Sequence, residues 1–377
     1  MKNIQMVDLK TQYETIKPEV DAAIQDVLNA TAYINGPQVR QFQASLESYL
    51  GVRHVIPCAN GTDALQIALM ALGLQPGDEV IVPAFTYVAT AEVIALLQLK
   101  PVMVDVDPDT FNVTAAIIEQ AVTPRTKAVV PVNLFGQSCD MEPIMAVAEK
   151  YSLFVVEDNA QAIGAAYTFA DGTSVKAGAI GHIGCTSFYP SKNLGAYGDG
   201  GAIYTNDEAL ATACRSIANH GQASRRYYHD VIGCNSRLDS IQAAILNVKL
   251  ARLDRFAAAR QQAAAYYDRF FADVPQLQVP ARQANSTHVF HQYTLIVREG
   301  DRDSLQEFLK EKGIPSMIYY PVPLYSQEAY KSSAPYPDFS LPVTEYLCKT
   351  VISLPMHTEL DDETLEYICQ SVQSFFN

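Results

Sequence analysis

Short apolar runs alternate with stretches of helical periodicity through the first two-thirds of the chain. Residues 79–83, 101–105, 127–133 and 153–158 are such runs, rich in Val. Strands buried on both faces read this way, because neither side meets water. Between them, residues 89–97 and 141–150 carry their apolar side chains at helical spacing. The alternation predicts an α/β domain built on a parallel or mixed sheet. The last third changes character. Residues 237–260 read as one long helix, with Ile241, Ala244, Ile245 and Val248 on one face and Asn235 or Ser236 as a natural N-cap. Beyond Pro275 come a candidate strand at 293–298 and a helix at 303–312 stopped by Gly313. A final helix at 361–375 places Leu365, Ile368, Cys369, Val372 and Phe375 on one side. The expected organisation is a large α/β domain over residues 1–255 and a smaller α+β domain over residues 256–377. The first residues are a candidate to pack against the smaller domain.

Composition narrows the function classes. A formal net charge of −14 argues against a basic face for nucleic acid. No apolar run is long enough to cross a membrane, and residues 1–8 lack the apolar core of a signal peptide. The cysteines, at 58, 139, 185, 214, 234, 348 and 369, are odd in number and show no metal-site spacing. They read as reduced thiols of a cytoplasmic protein.

Candidate chemistry gathers where those strands end. Lys192 stands between a hydroxyl-bearing stretch, Thr186-Ser187-Phe188-Tyr189-Pro190-Ser191, and a glycine-rich one, Gly195-Ala196-Tyr197-Gly198-Asp199-Gly200-Gly201. A solvent-facing lysine needs no such company. A lysine that forms a Schiff base with an aldehyde cofactor needs a rigid position, phosphate donors nearby and surroundings that lower its pKa. Asn60-Gly61-Thr62-Asp63 opens a helix whose Leu65, Ala68, Leu69 and Leu72 share a face. Glycine and hydroxyl at a helix N-terminus make an anion site. They serve equally as a plain cap, with Thr62, or Asp63 together with Gln66, as the capping groups. Beside Ser187 and Lys192, phosphate binding is the better reading.

Asp158 ends an apolar run, where ligand groups sit in an open α/β sheet. It would pair with a pyridinium nitrogen, or cap the next helix. Gln161 is placed to reach a ring hydroxyl. Phe85 and Tyr87 follow another run; aromatics there stack on a flat ring or fill the core. Arg237 is an anion clamp or a solvated charge. Gly178-Ala179-Ile180-Gly181-His182-Ile183-Gly184 does not match a dinucleotide fingerprint.

The ordered blocks NGTDAL (60–65), PAFTYVAT (83–90), VEDNAQAIGA (156–165), TSFYPSKNLGAYGDGGA (186–202) and GCNSRLDSIQAAI (233–245) together resemble the DegT/StrS-type sugar aminotransferases. These are pyridoxal-phosphate (PLP) enzymes of fold type I. The resemblance runs from Val7-Asp8-Leu9 to Leu354-Pro355-Met356-His357. It implies a large domain with a mostly parallel central sheet and a smaller C-terminal α+β domain. It implies that Lys192 forms the Schiff base, Asp158 meets the pyridine nitrogen, Gln161 meets the ring hydroxyl and Tyr87 stacks on the ring. Gly61, Thr62 and Ser187 match the phosphate cup. Asn235 matches a residue that reaches the phosphate from the neighbouring subunit, so a homodimer with shared sites is implied. Tyr319 and Tyr320 match a loop near the nucleotide-linked sugar, although members often have His in place of Tyr319.

The resemblance also implies glutamate as amino donor, pyridoxamine phosphate as the alternate cofactor form and a nucleotide-linked keto sugar as acceptor. A look-alike group acting on UDP-linked 3-keto uronic acids shares the Asn-Ser-Arg stretch, which assigns Arg237 to the sugar carboxylate. The rivals are a PLP-dependent sugar dehydratase, in which His replaces the lysine, and a non-catalytic signalling relative.

Overall fold

The computed structural model describes residues 4–222, 225–333 and 339–377. The chain opens with helices α1 (Leu9–Ala30) and α2 (Pro37–Leu50). Strands and helices then alternate: β1 (His54–Cys58), α3 (Gly61–Ala71), β2 (Glu79–Pro83), α4 (Ala89–Leu96), β3 (Lys100–Val104), α5 (Ala115–Ala121), β4 (Thr126–Val129), α6 (Met141–Tyr151) and β5 (Phe154–Asp158). A hairpin of β6 (Ala166–Thr168) and β7 (Ser174–Lys176) precedes β8 (Ile183–Ser187), β9 (Gly201–Thr205) and α7 (Glu208–Ala218). Helices α8 (Ser240–Leu250) and α9 (Leu253–Phe271) lead to β10 (Leu277–Gln278), β11 (Tyr293–Val297), α10 (Arg302–Glu311), α11 (Pro342–Thr350), β12 (Val351–Leu354) and α12 (Asp362–Phe376).

The central sheet has seven strands in the order β1-β9-β8-β5-β4-β2-β3. β8, β5, β4, β2 and β3 run parallel, and β9 is antiparallel to both of its neighbours. Every residue of β2 and of β9 is buried, as expected for strands covered on both faces. The carboxyl ends of β2, β5 and β8 therefore share one edge of the sheet, and α3 begins at that edge just after β1.

A second sheet, β10-β11-β12, is antiparallel. It packs with α9, α10 and α12 around Tyr267, Phe271, Tyr293, Leu295 and Ile368, and Ile4 lies against the same cluster. Asp105, just past β3, ties α11 to the central sheet. Its carboxylate accepts the amides of Val343 at 3.0 Å and Thr344 at 2.7 Å, and the Thr344 hydroxyl at 2.7 Å. α11 has no side-chain cap of its own, so Asp105 satisfies its open N-terminus from a distant strand. Asp105→Ala is expected to lower the unfolding free energy by about 2 kcal/mol, read from urea denaturation.

The long helix expected over 237–260 is two helices, broken between Leu250 and Leu253. Arg252 at the break has non-helical backbone angles, and its guanidinium takes the Val248 carbonyl at 2.7 Å and pairs with Glu19. The side chain thus satisfies a carbonyl that the next helical turn would otherwise have used. Nor do Asn235 and Ser236 cap the helix. Asp239 does, accepting from the Gln242 amide at 2.9 Å, while Ser236 accepts from the Ala59 amide at 3.0 Å.

Candidate active site

The shared strand edge opens onto a cavity of about 920 Å³. Gly61, Thr62, Tyr87, Asp158, Gln161, Ser187, Lys192, Tyr319 and Tyr320 all line it. Asn235 and Arg237 are not among the lining residues. Asn235 is exposed, and Arg237, half-buried, donates to Asn219 Oδ1 at 3.2 Å. A smaller cavity of about 260 Å³ lies where β2 and β3 begin, and its cations Lys100 and Arg125 are already paired with Glu79.

At one end of the large cavity, Asn60 caps α3 by accepting the Asp63 amide at 2.8 Å. Neither Thr62 nor an Asp63–Gln66 box does so. Asn60 wins because its extended backbone precedes the first helical residue, Gly61. The Asn60 carbonyl accepts the Ala64 amide, which leaves the amides of Gly61 and Thr62 at the open end of the helix. A Cβ on Gly61 would lie 2.6 Å from Ser187 Cβ. Only glycine lets the helix end and the end of β8 meet so closely. The result is a cup of amides and hydroxyls suited to an anion.

Lys192 sits on the loop from β8 to β9. Its amide bonds to the Tyr189 carbonyl at 2.8 Å, and Phe188 exchanges backbone bonds with Gly200 and Ala196. Gly195 packs against the backbone of Pro190, where a Cβ would come within 2.2 Å of the carbonyl oxygen. The loop is thus held at both ends of the lysine. Burial pulls the Lys192 ammonium down to about 8, against the opposing charge of Asp158.

Asp158 is the last residue of β5 and is buried. Its Oδ2 accepts the Thr90 hydroxyl at 2.8 Å, and its Oδ1 accepts the Ala160 amide at 3.1 Å. Burial pushes its pKa up, and these donors and Lys192 oppose that. Its neighbour Glu157 points to the other face of the sheet, as strand alternation requires. Glu157 is fully buried and accepts the amides of Gly178 at 2.8 Å, Ile180 at 2.7 Å and Gly181 at 2.6 Å. The adjacent carboxylates therefore do different work: Glu157 pins the turn before β8, and Asp158 faces the cavity.

The Gln161 amide has a fixed orientation. Its Oε1 accepts the Phe135 amide at 2.8 Å, and its Nε2 donates to the Tyr320 hydroxyl at 3.1 Å. The remaining hydrogen on Nε2 suits an acceptor in the cavity. Tyr87 is 59 % exposed and its ring lies 6.5 Å from that of Tyr320, whereas Phe85 is core, edge-on to Phe135 and Tyr320.

Sequence reasoning did not single out Thr90, His291 or Gln292. Thr90 sits one helical turn past Tyr87, and only the fold brings it to Asp158. His291 and Gln292 line the cavity from the approach to β11. Burial, then the charges of Lys192 and Arg260, hold His291 neutral, well below the usual imidazole range. Among the described residues no cluster of His, Cys, Asp and Glu suits a metal, and no helix is long and apolar enough to cross a membrane.

Residues 14–373 match the DegT/DnrJ/EryC1/StrS aminotransferase family. The chain belongs to this family. The aminotransferase is 48% identical over 369 residues to UDP-2-acetamido-2-deoxy-3-oxo-D-glucuronate aminotransferase of Pseudomonas aeruginosa, covering 98% of this chain and 99% of the relative. It is 47% identical to a pleiotropic regulatory protein of Geobacillus stearothermophilus, over 99% of both chains. Its fold matches the crystal structure of S. venezuelae DesV in complex with a ketimine intermediate, with a TM-score of 0.94 and 38% identity, over 100% of this chain and 99% of the other. The mainly parallel α/β architecture of this aminotransferase is thus one seen in solved members of its family.

Proposed function

We propose that this aminotransferase uses PLP, with pyridoxamine phosphate as the alternate form, to move an amino group from glutamate to a nucleotide-linked keto sugar in the cytoplasm. A UDP-linked 3-keto uronic acid is the favoured acceptor. The observation that carries the reading is one cavity holding a half-buried lysine, a buried carboxylate and an open helix N-terminus. The residues fit the cofactor: glycine at 61 lets Ser187 stand against the open end of α3, since a Cβ there would strike it, and so brings a hydroxyl beside the free amides. The Pseudomonas aeruginosa relative, whose name states a UDP-linked 3-oxo uronate, supports the acceptor class.

Bound PLP supplies an electron sink for negative charge developing on the substrate carbon. The chain's residues do the rest. The amides of Gly61 and Thr62 and the Ser187 hydroxyl would hold the phosphate. Asp158 would hold the ring nitrogen protonated, Gln161 would donate to the ring oxygen, and Tyr87 would cover a ring face. The Lys192 amine, half deprotonated near pH 8, would carry the proton between substrate and cofactor carbons. Tyr319 and Tyr320 would border the sugar.

Asn235 and Arg237 complete the site from a second subunit in this reading. They follow a segment whose Tyr227, Tyr228, Val231 and Ile232 are exposed in the single chain, Ile232 at 87 %. Apolar side chains so placed suit burial against another copy. Arg237 would then meet the sugar carboxylate. Arg237→Ala is expected to lower kcat/KM for a uronate acceptor roughly 100-fold and to spare a neutral keto sugar; equal loss on both would remove the assignment.

The reading is tested by adding glutamate to the PLP-loaded protein and following the visible band. Glutamate should bleach the band and yield pyridoxamine phosphate, and a UDP-linked 3-keto uronate should restore it. The regulatory name of the Geobacillus stearothermophilus relative makes a signalling role the second reading. PLP bound without conversion by glutamate would favour it. The dehydratase reading does not fit a cavity lined by Lys192.

A further inference from the structure

We propose that Thr90 is a positioning residue for the amino-transfer reaction, acting through Asp158 by donating its hydroxyl hydrogen to Oδ2. The proposal rests on the PLP-dependent reading above. Thr90 and Asp158 are both buried, at 1% and 6% exposure, and their oxygens are 2.8 Å apart. An ionised carboxylate only accepts, so the hydrogen of this bond comes from Thr90. The backbone carbonyl four residues earlier, the usual alternative acceptor for a helical threonine, belongs to Thr86 in the loop before α4.

The charged and titratable groups around Asp158 define what this hydroxyl opposes. Lys192 favours the carboxylate. Cys185 on β8, Tyr204 on β9 and Tyr320 also feel its charge. Burial is the largest influence and disfavours the ionised form. Besides Lys192, the direct support for the anion is the Ala160 amide on Oδ1 and the Thr90 hydroxyl on Oδ2. Removing the hydroxyl leaves Oδ2 without this donor in a site shielded from water, where a hydrogen bond to a charged group matters most.

Geometry links this clamp to the aromatic cover. Tyr87 and Thr90 belong to one turn, closed by a backbone bond from the Thr90 amide to the Tyr87 carbonyl at 3.4 Å. One segment at the start of α4 thus sets both the residue proposed to cover the ring and the donor to the residue proposed to meet its nitrogen. A change in this turn reaches the cofactor from two directions.

The test uses the PLP-loaded full chain as wild type, Thr90→Val, Thr90→Ser and Asp158→Asn. Valine keeps the shape of threonine and removes the hydroxyl. Thr90→Val is expected to lower kcat roughly ten- to hundred-fold, the scale of one hydrogen bond to a charged group, with KM for glutamate nearly unchanged. The pH titration of the cofactor's visible band should shift in the same direction as in Asp158→Asn, by a smaller amount. Thr90→Ser should restore both readouts. A wild-type titration in Thr90→Val, or a loss that serine does not restore, overturns the proposal. Should Thr90→Val not fold, Thr90→Ala against Thr90→Ser makes the same comparison. Failure of the underlying reading looks different: the wild type would show no PLP band, or Asp158→Asn would leave the titration unmoved.

Discussion

Lys192→Ala is expected to leave a folded protein whose amino transfer is slower by about four orders of magnitude. The amine is the basic group of the cavity best placed to carry a proton, and no neighbour substitutes for it. His291 is nearby but is held neutral and weakly basic by burial and by the charges of Lys192 and Arg260. The measurement is single-turnover conversion of bound cofactor by glutamate. In the wild type, capture of added PLP by apoprotein should accelerate as pH rises through about 8 and then level off, because the free amine is the reactive form. The same shift has a stability consequence. A lysine whose pKa falls from 10.5 to about 8 on folding binds its proton less tightly in the native state. Apoprotein stability from this group therefore rises with pH between those values. Lys192→Met should stabilise the apoprotein below pH 8, by roughly 3 kcal/mol. On the proposed reading, the wild-type amine is a reactive group kept at the expense of stability.

The second large effect lies one residue from Asp158. Glu157→Ala is expected to lower the unfolding free energy by roughly 3–5 kcal/mol. It would strand the amides of Gly178, Ile180 and Gly181, which all converge on its carboxylate. Glu157→Gln should recover part of the loss, since its amide oxygen still accepts, while its NH₂ group faces donors. Denaturant unfolding of the apoprotein measures both. Because the turn leads into β8 and thence to Ser187, PLP affinity should fall with stability.

The strands of the central sheet were readable where they are apolar and Val-rich, as in β2, β4 and β5. Less so β1, which contains Pro57, and β8, which contains Gly184 and two hydroxyls: their burial comes from neighbours, not from their own composition. Helix α1 carries Pro18 and buries only Gln12, Ile16, Val20 and Val27, too thin a stripe to stand out. In the site, Lys192, Asp158 and Gly61 were legible because each breaks a local pattern: a lysine among glycines, a carboxylate closing an apolar run, a glycine opening a helix. Thr90 breaks none, since a hydroxyl near the start of a helix is ordinary, and its meaning depends on a partner 68 residues away. The break at Arg252 was hidden because apolar spacing continues through it, and what interrupts the helix is a side chain reaching back to Val248.

The end of β5 carries a lesson for anyone redesigning sugar preference. Two successive carboxylates face opposite ways there, one locking a turn and one lining the cavity. Deleting or inserting a single residue upstream would turn each to the opposite face, taking the turn's anchor from its amides and the pocket's carboxylate from the cavity. No gradual route leads through such a swap, so this strand resists tinkering. Tyr319 and Tyr320, by contrast, lie outside every strand and helix of the fold. On the proposed reading, variation aimed at new acceptors is best spent at Tyr319, because the Tyr320 hydroxyl also fixes the orientation of Gln161.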